Sequence, residues 1–571
     1  MTPSLGNAER VLRSFVYSRA ASFVEGHPMV RSYDISASSP IEQENLVMRE
    51  VATLIEGIRR LYREGQTDYS MEPLILVGQE GTPLGRIRDG DGVIFCCRRG
   101  EREMQLTGAF LDPGFNFFPR KDFEDLTFVT LTLYHEKFLG HPVAFLPTKI
   151  GDTLGEVVSR HGLRQLRVAE SEKFSHVTFF FNGGTHQSFP GEEDIQVPSP
   201  KGVPFDRTPE LSIAQVTETV VKTIGDGYAL VVINFANGDV ISHHPNRDAK
   251  IRCAEAVDKH LGLVLEAART AGYVTLVTAD HGSLEEMVNA DGRPNVGHTA
   301  HPVPFVLVTP DLAVQTGVNV RPGHLGDVAP TVLDVLELPK PEAMTGRTLI
   351  TGSLQTCPRR ILLIILDGWG LGREDDTNPI FVAHTPVWDR LMRHCPFSRL
   401  EAAGEAVGLT AGKMGNSEAG HMNLGAGRIV LQDDVRLDRA LKDGSFYRNE
   451  VFLETMDKVM GRRGALHLLA LLSEKSSHGT VEYPLALLRL ARERGLRDVF
   501  VHVILDGRST EPGSAPLLLE RMAIEMAAIG VGRIVSCLGR GLALDRDENY
   551  DKTRQAYDAL VFGAGRACQT R

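Results

Sequence analysis

Three things are scarce in this chain of 571 residues. No apolar run approaches the ~20 residues that a membrane-spanning helix needs, so no membrane partner is expected. Cysteine is sparse: the 7 cysteines form no CxxC pair and keep no regular spacing, and Cys96 and Cys97 are adjacent, a placement that rarely bridges. A disulfide framework is therefore not expected, and thiols in a reducing cytosol are. Positive charge is in deficit, with Lys+Arg 62 against Asp+Glu 73 and a net charge of −11. General attraction to nucleic acid is excluded on that balance, and any anionic ligand must be held by a local cationic cluster. No internal repeat or low-complexity tract stands out.

Hydrophobic residues make up 42% of the chain, and short apolar runs alternate with helix-like segments. That pattern and length imply an α/β protein of two or more domains. The runs Ile361–Leu366, Ala229–Phe235 and Val274–Ala279 read as buried parallel strands. Each ends in acid or imidazole: Asp367 after the first, Asp239 and His243 after the second, Asp280 and His281 after the third. In open α/β sheets chemistry collects at the carboxyl ends of strands, and mixed Asp and His there suits divalent metal. Asp239 and His243 are four apart, so one helical turn would point both the same way. Asp280 and His281 are adjacent and can converge only where the backbone turns. Alone, an Asp-His pair at a strand end is more often a cap, and a serine in Gly-Asn-Ser-Glu is more often a turn or N-cap.

Elsewhere the strand ends carry arginine. Val93–Cys97 leads to Arg98, Arg99 and Arg102; Val499–Leu505 to Arg508; Arg533–Leu538 to Arg540, with Arg546 nearby; Ala465–Leu472 leads through Ser473 to His478. Guanidinium forks bind carboxylate and phosphate bidentately. The simplest inference is two α/β domains facing each other across a cleft, one metal-binding and one anion-binding. Loss of one such arginine is expected to act on substrate and not on stability. The polar stretch 351–360 reads as a linker within the metal domain. Residues 1–43 carry Arg10, Arg13 and Arg19 but also Glu9 and Glu25, with no clear cleavage signal. They read as an extra helix and loop on the surface, not as a targeting peptide.

Several motifs together resemble one family. ILLIILDGWG at 361–370, GNSEAGH at 415–421, LDGR at 505–508 and DRD at 545–547 resemble the opening of the 2,3-bisphosphoglycerate-independent phosphoglycerate mutases, of the alkaline phosphatase superfamily. RVAESEKFSHVTFFFNGG at 167–184, NFANGD at 234–239, TADHG at 278–282 and MTGRTLI at 344–350 resemble the later half. The order is rotated, as in a circular permutant, and the chain's own ends fall within what is usually the inserted domain. This implies a nearly contiguous, alkaline-phosphatase-like metal domain at 148–435 and a smaller substrate domain split between 44–147 and 436–571. The split domain must assemble through non-local contacts.

The resemblance implies interconversion of 3-phosphoglycerate and 2-phosphoglycerate through a phosphoserine on Ser417. It implies two divalent ions, Mn²⁺ with Mg²⁺ or Zn²⁺ as alternatives, and no 2,3-bisphosphoglycerate. It nominates His298 beside Asp239 and His243 for one ion, and Asp367, Ser417, Asp280 and His281 for the other. It assigns Arg99, Arg102, Arg508, Ser509, Arg540 and Arg546 to the substrate, Lys173 to the phosphoryl group and His478 to proton exchange with the glycerate hydroxyls. A monomer in the cytoplasm is expected. Two departures stand out: only His478 survives in the loop 473–480, and Ser509 replaces an aspartate. A phosphatase or another phosphomutase of the same superfamily is the alternative, against which the five arginines argue. A weakly active binding or regulatory relic is the other, against which the complete metal set argues.

Overall fold

The computed structural model describes residues 40–569, apart from 148, 290, 311–316, 353, 355–359 and 475. Most of the 1–43 extension and of the 351–360 linker therefore lies outside the described residues. The boundary expected at 43/44 falls inside a helix, Pro40–Arg63, whose Val47, Val51, Leu54, Ile58 and Leu61 are buried.

In chain order, the first strands are β1 (Leu74–Val77), β2 (Gly92–Phe95), β3 (Thr127–Thr132) and β4 (Val143–Phe145). A second series follows: β5 (Gln165–Glu170), β6 (Glu192–Val197), β7 (Leu230–Phe235), β8 (Val274–Thr278), β9 (Val303–Val308), β10 (Asn319–Val320), β11 (Gly323–His324), β12 (Ile350–Thr351), β13 (Ile361–Leu366) and β14 (Phe397–Glu401). The last are β15 (Leu466–Leu472), β16 (Val499–Leu505), β17 (Arg533–Gly539) and β18 (Arg566–Gln569).

They build two eight-stranded sheets, ordered β18-β1-β17-β16-β15-β2-β3-β4 and β11-β14-β9-β8-β13-β7-β5-β6, with β10 and β12 as a separate pair. In the first sheet β1 pairs parallel with β18 and antiparallel with β17, and β15 joins β2 to β16, so early and late segments interleave. The six strands from β17 to β4 run parallel. Period-2 alternation splits its residues between two cores: Leu468, Ala470 and Leu472 face one, Leu469 and Leu471 the other.

In the second sheet the three predicted strands lie side by side. β13 is central, with Ile364 opposite Ile233 on one flank and Val277 on the other, all parallel. Every residue of β7, β8 and β13 is buried, which is why these runs carry no charged residue and do not alternate apolar with exposed polar positions. Their carboxyl ends therefore open on one side, and the acids that follow are delivered there together.

The chain passes between the sheets twice, between β4 and the helix Leu154–Arg160, and between the helices Ser417–Ala426 and Asp433–Asp443. The two crossings touch. Arg428 Nη2 donates to Gly151 O at 2.8 Å and Arg436 Nη2 to Leu146 O at 2.8 Å. Ile150, Ala426 and Val430 form a small apolar cluster between them.

Candidate active site

Beyond β7 the chain turns at once into the helix Asn237–Ser242, which carries Asp239 and ends at His243. Asp280 and His281 lie past the end of β8, where the backbone has left the strand, and Asp367 directly follows β13. Two glycines let these turns interlock: a Cβ on Gly238 would sit 2.4 Å from Asp367 O, and one on Gly368, at φ +72°, 2.7 Å from Asp239 N. Ser417 opens the helix Ser417–Ala426, capped by Asn416, whose side chain accepts from Ala419 N at 2.9 Å. Its hydroxyl thus sits at a helix N-terminus, where negative charge is favoured.

All seven candidate ligands are brought together. Ser417 Oγ is 3.0 Å from His281 Nε2 and 3.3 Å from Asp367 Oδ1. His298 Nε2 lies 3.1 Å and His243 Nε2 3.3 Å from Asp239 Oδ1. The ligand atoms of Asp239, His281 and His298 lie within 4.8 Å of one another, as do those of Asp280, His281 and Asp367. His281 thus stands in both groups, whereas the family resemblance places it in one, and the half-exposed His243 joins through Asp239. Lys173 is buried among them, its Nζ 2.6 Å from Asp239 Oδ2, 2.8 Å from Asp367 Oδ1 and 2.6 Å from Ser417 Oγ.

The residues fit divalent cations. Each candidate histidine directs Nδ1 at a backbone carbonyl: His243 at Val296 O (2.9 Å), His298 at Gly415 O (2.7 Å) and His281 at Gly282 O (3.2 Å). A carbonyl only accepts, so Nδ1 carries the hydrogen and the neutral ring aims the Nε2 lone pair at the carboxylates. Asp239 Oδ1 and Asp280 Oδ2 are buried without a hydrogen-bond donor among the described residues. Lone pairs facing lone pairs in a buried site call for a cation, and three carboxylates against one ammonium leave negative charge for it to balance. The electrostatics agree. Burial pushes the Asp239 carboxyl up, but the Lys173 ammonium holds it well below the usual range. Asp280 is likewise lowered against its burial, with the His421 ring and the Lys173 ammonium beside it. Asp367 is raised, by burial and by the neighbouring Asp280. The Lys173 ammonium is raised, since Asp367 and Asp239 overcome its desolvation.

Sequence reasoning passed over three supporting residues here. His421, one helical turn after Ser417, is fully buried, with Nδ1 2.9 Å from Ser417 O and 3.3 Å from Asp280 Oδ2. Asn234 donates to Asp367 Oδ2 at 2.7 Å. Glu285 accepts from Ser283 N (2.8 Å), Gly370 N (3.0 Å) and His301 Nδ1 (3.0 Å), tying three of the ligand-bearing loops together. The i,i+4 spacing of Ser417 and His421 was the one available signal.

The first sheet carries a cavity of about 280 Å³ at the carboxyl ends of its parallel strands. It is lined by Arg99, Glu101, Arg102, Ser477, His478, Arg508, Ser509, Arg540 and Arg546. All five predicted arginines, His478 and Ser509 are present, and no residue of the acid–imidazole cluster is. Arg98, the other arginine at the end of β2, is turned away and binds Ser477 O at 3.1 Å, Ser476 O at 3.0 Å and the Tyr483 hydroxyl at 2.6 Å. Arg540 departs from the expectation that these arginines act on substrate alone. It is 1% exposed and ion-paired with the equally buried Asp506, so its removal would strand a charge in the interior. Its Nε is buried with no hydrogen-bond partner among the described residues. Arg99 and Arg546 share Glu101 and are half-exposed.

The chain belongs to the Metalloenzyme superfamily, whose family model matches residues 48–340, more than half of its length. A second family model, described as the BPG-independent PGAM N-terminus, matches residues 437–571. Among curated proteins it is 43% identical over 299 residues to a 2,3-bisphosphoglycerate-independent phosphoglycerate mutase from Desulforudis audaxviator, covering 52% of this chain and 57% of that protein. Proteins of the same name match from Thermosynechococcus vestitus, at 46% over 47% of this chain and 52% of that one, and Acaryochloris marina, at 47% over 56% and 59%. The chain thus spans little more than half the length of the curated relatives it matches. A solved structure of Leishmania mexicana phosphoglycerate mutase is 28% identical over 48% of this chain and 53% of that one, with a TM-score of 0.38.

Proposed function

We propose that the chain interconverts 3-phosphoglycerate and 2-phosphoglycerate, without 2,3-bisphosphoglycerate, through a phosphoserine on Ser417. The observation that carries this reading is the pairing of a buried serine hydroxyl inside an acid–imidazole–lysine cluster with a separate cavity walled by five arginines and one histidine. The first suits transfer of a phosphoryl group; the second suits an acid bearing carboxylate and phosphate. The names of the curated relatives support it.

Asp239, His243 and His298 would hold one divalent ion and Asp367, Ser417, Asp280 and His281 the other, with Mn²⁺ preferred over Mg²⁺ or Zn²⁺. Such ions, when bound, make a serine hydroxyl more acidic and offset phosphoryl charge. The chain's own residues do the rest. Ser417 gives up its hydroxyl proton to solvent beforehand; the alkoxide Oγ, beside the Lys173 ammonium, attacks phosphorus while the ester bond to the glycerate oxygen breaks with its pair to that oxygen, which takes a proton from His478. Lys173, 2.6 Å from Oγ, balances charge on the transferring group. Arg99, Arg102, Arg508, Arg540 and Arg546, with Ser509, keep the glycerate while it reorients. The other hydroxyl then gives its proton to His478 and receives the phosphoryl group from Ser417. Exclusion of water by approach of the two sheets would keep the phosphoserine from hydrolysis.

We also read the motif order as a circular permutation, with a metal domain at 148–435 and a substrate domain from 44–147 and 436–571. The family model described as an N-terminus matches downstream of the Metalloenzyme match, which supports this. Interleaving of β1–β4 with β15–β18 in one sheet supports it too. A cytoplasmic monomer accords with the free thiols of Cys96, Cys97, Cys253, Cys537 and Cys568 and with sites completed by one chain. Among the described residues no helix is long and apolar enough to cross a membrane.

The test is ³¹P NMR of 3-phosphoglycerate with purified chain of verified intact mass, with Mn²⁺ and after chelation. Appearance of 2-phosphoglycerate only with metal is expected. Metal-loaded chain that leaves 3-phosphoglycerate unchanged, or releases only inorganic phosphate, rules the reading out.

A further inference from the structure

Glu103 lies in the first turn of the helix Gly100–Leu111, a position where an acid ordinarily faces solvent and complements the helix dipole. Here its exposure is 0%. A buried carboxylate is costly unless its oxygens are satisfied, and both are: Oε2 accepts from Arg102 N at 3.2 Å, and Oε1 lies 3.0 Å from His478 Nδ1. Burial raises the Glu103 carboxyl, and His478 offsets only part of that rise. The backbone on which the imidazole rides is fixed independently. Arg98 N donates to His478 O at 2.8 Å, and the Arg98 guanidinium binds the two preceding carbonyls.

We propose that Glu103 is the positioning residue of a carboxylate–imidazole pair, holding His478 in the tautomer that presents an unprotonated Nε2 to the arginine-walled cavity. An ionised carboxylate only accepts, so Nδ1 must carry the ring hydrogen. His478 lines the cavity, and among the described residues its Nε2 has no hydrogen-bond partner. The step served, which rests on the mutase reading, is the return of the phosphoryl group. The glycerate O–H bond breaks and its proton passes to Nε2. The oxygen's electron pair forms the new O–P bond, and the Ser417 Oγ–P bond breaks with its pair to Oγ, beside the Lys173 ammonium. In the opposite half-reaction Nε2–H gives the proton back. Without Glu103 the ring could rotate or switch tautomer, placing N–H where the base is needed.

The experiment compares wild type with E103Q and E103D, using ¹⁵N-histidine NMR for the imidazole tautomer, H478N to assign the signal, and steady-state kinetics with 3-phosphoglycerate. Wild type should show Nδ1 protonated and Nε2 bare in the neutral ring. E103Q should lose that fixed tautomer and drop kcat by about 10–100-fold, within the range of general acid–base effects, with KM changed less than about threefold. E103D, which keeps the charge, should recover part of kcat. A wild-type ring protonated at Nε2, or an E103Q variant with unchanged tautomer and kcat, would overturn the pairing. If E103Q does not fold, the wild-type tautomer and E103D still decide. A wild type with the expected tautomer but no turnover would sink the mutase reading and leave the pair standing.

Discussion

At the carboxyl ends of its parallel strands one sheet gathers three carboxylates, four histidines and a lysine, while the other gathers five guanidiniums, and the clusters differ most in how deeply they are set. Asp280, His281 and Asp367 are essentially unexposed, and each is held by neighbours of its own cluster. On the arginine side burial is graded. Arg540 and Arg102 are buried, whereas Arg99 and Arg546 reach into solvent. A small multivalent cation rewards a rigid, interlocked set of donors. A flexible organic acid that must turn over in place is better met by long side chains, some anchored and some free to follow it.

The largest effect expected is on the serine. Ser417→Ala should lower turnover by more than about a thousandfold, and after acid quench of a reaction with ³²P-labelled phosphoglycerate no labelled peptide spanning 413–428 should remain. Label around His478 in the wild type would reverse the assignment of the two clusters. Next, Arg540→Ala should destabilise the fold by about 3–5 kcal/mol because Asp506 is left buried and unpaired. A urea midpoint equal to wild type would show that the anchored end of the arginine gradient is not anchored.

Glu170 gives the third, as an acid at the end of β5 that lacks the cationic partners of its neighbours. Burial, against the pull of Ser199, pushes its carboxyl up to about 7. Below about pH 4.5 the group is protonated in both states and costs nothing. As pH rises to about 7 the unfolded chain releases the proton first, so stability falls by about 3 kcal/mol. Glu170→Gln should remove that fall, and parallel denaturation curves for the two proteins between pH 5 and 8 would contradict it. The smallest effect belongs to Arg546→Ala. Loss of one half-exposed charge-assisted contact should lower kcat/KM by roughly tenfold, about 1.4 kcal/mol, with no change in melting temperature. A drop in melting temperature as large as that of Arg540→Ala would erase the gradient.

Much of this was legible because both clusters sit where apolar strands end. β7, β8 and β13 carry no charged residue, so the first acid after each run marks both the strand terminus and the site. Cys97-Arg98-Arg99 shows the limit: of two adjacent arginines only Arg99 lines the cavity, and the turn that decides this has no composition of its own. Glu103 was illegible for a different reason. In Gly-Glu-Arg-Glu-Met an acid in a first helical turn is the commonest surface pattern, and its burial depends on a loop more than 370 positions away, at 476–478. Glu285 was hidden likewise, since its partners come from three separate loops.

The paired crossings between the sheets carry a mechanical consequence. A body tethered by a single thread can swing and spin; one tethered by two adjoining threads, stitched by Arg428 and Arg436 and buttoned by Ile150, Ala426 and Val430, keeps chiefly the rotation about the line through both. Any relative motion of the two clusters is thereby reduced toward a door's single degree of freedom, so a molecule held at the arginines would return to the serine along nearly the same arc on every swing.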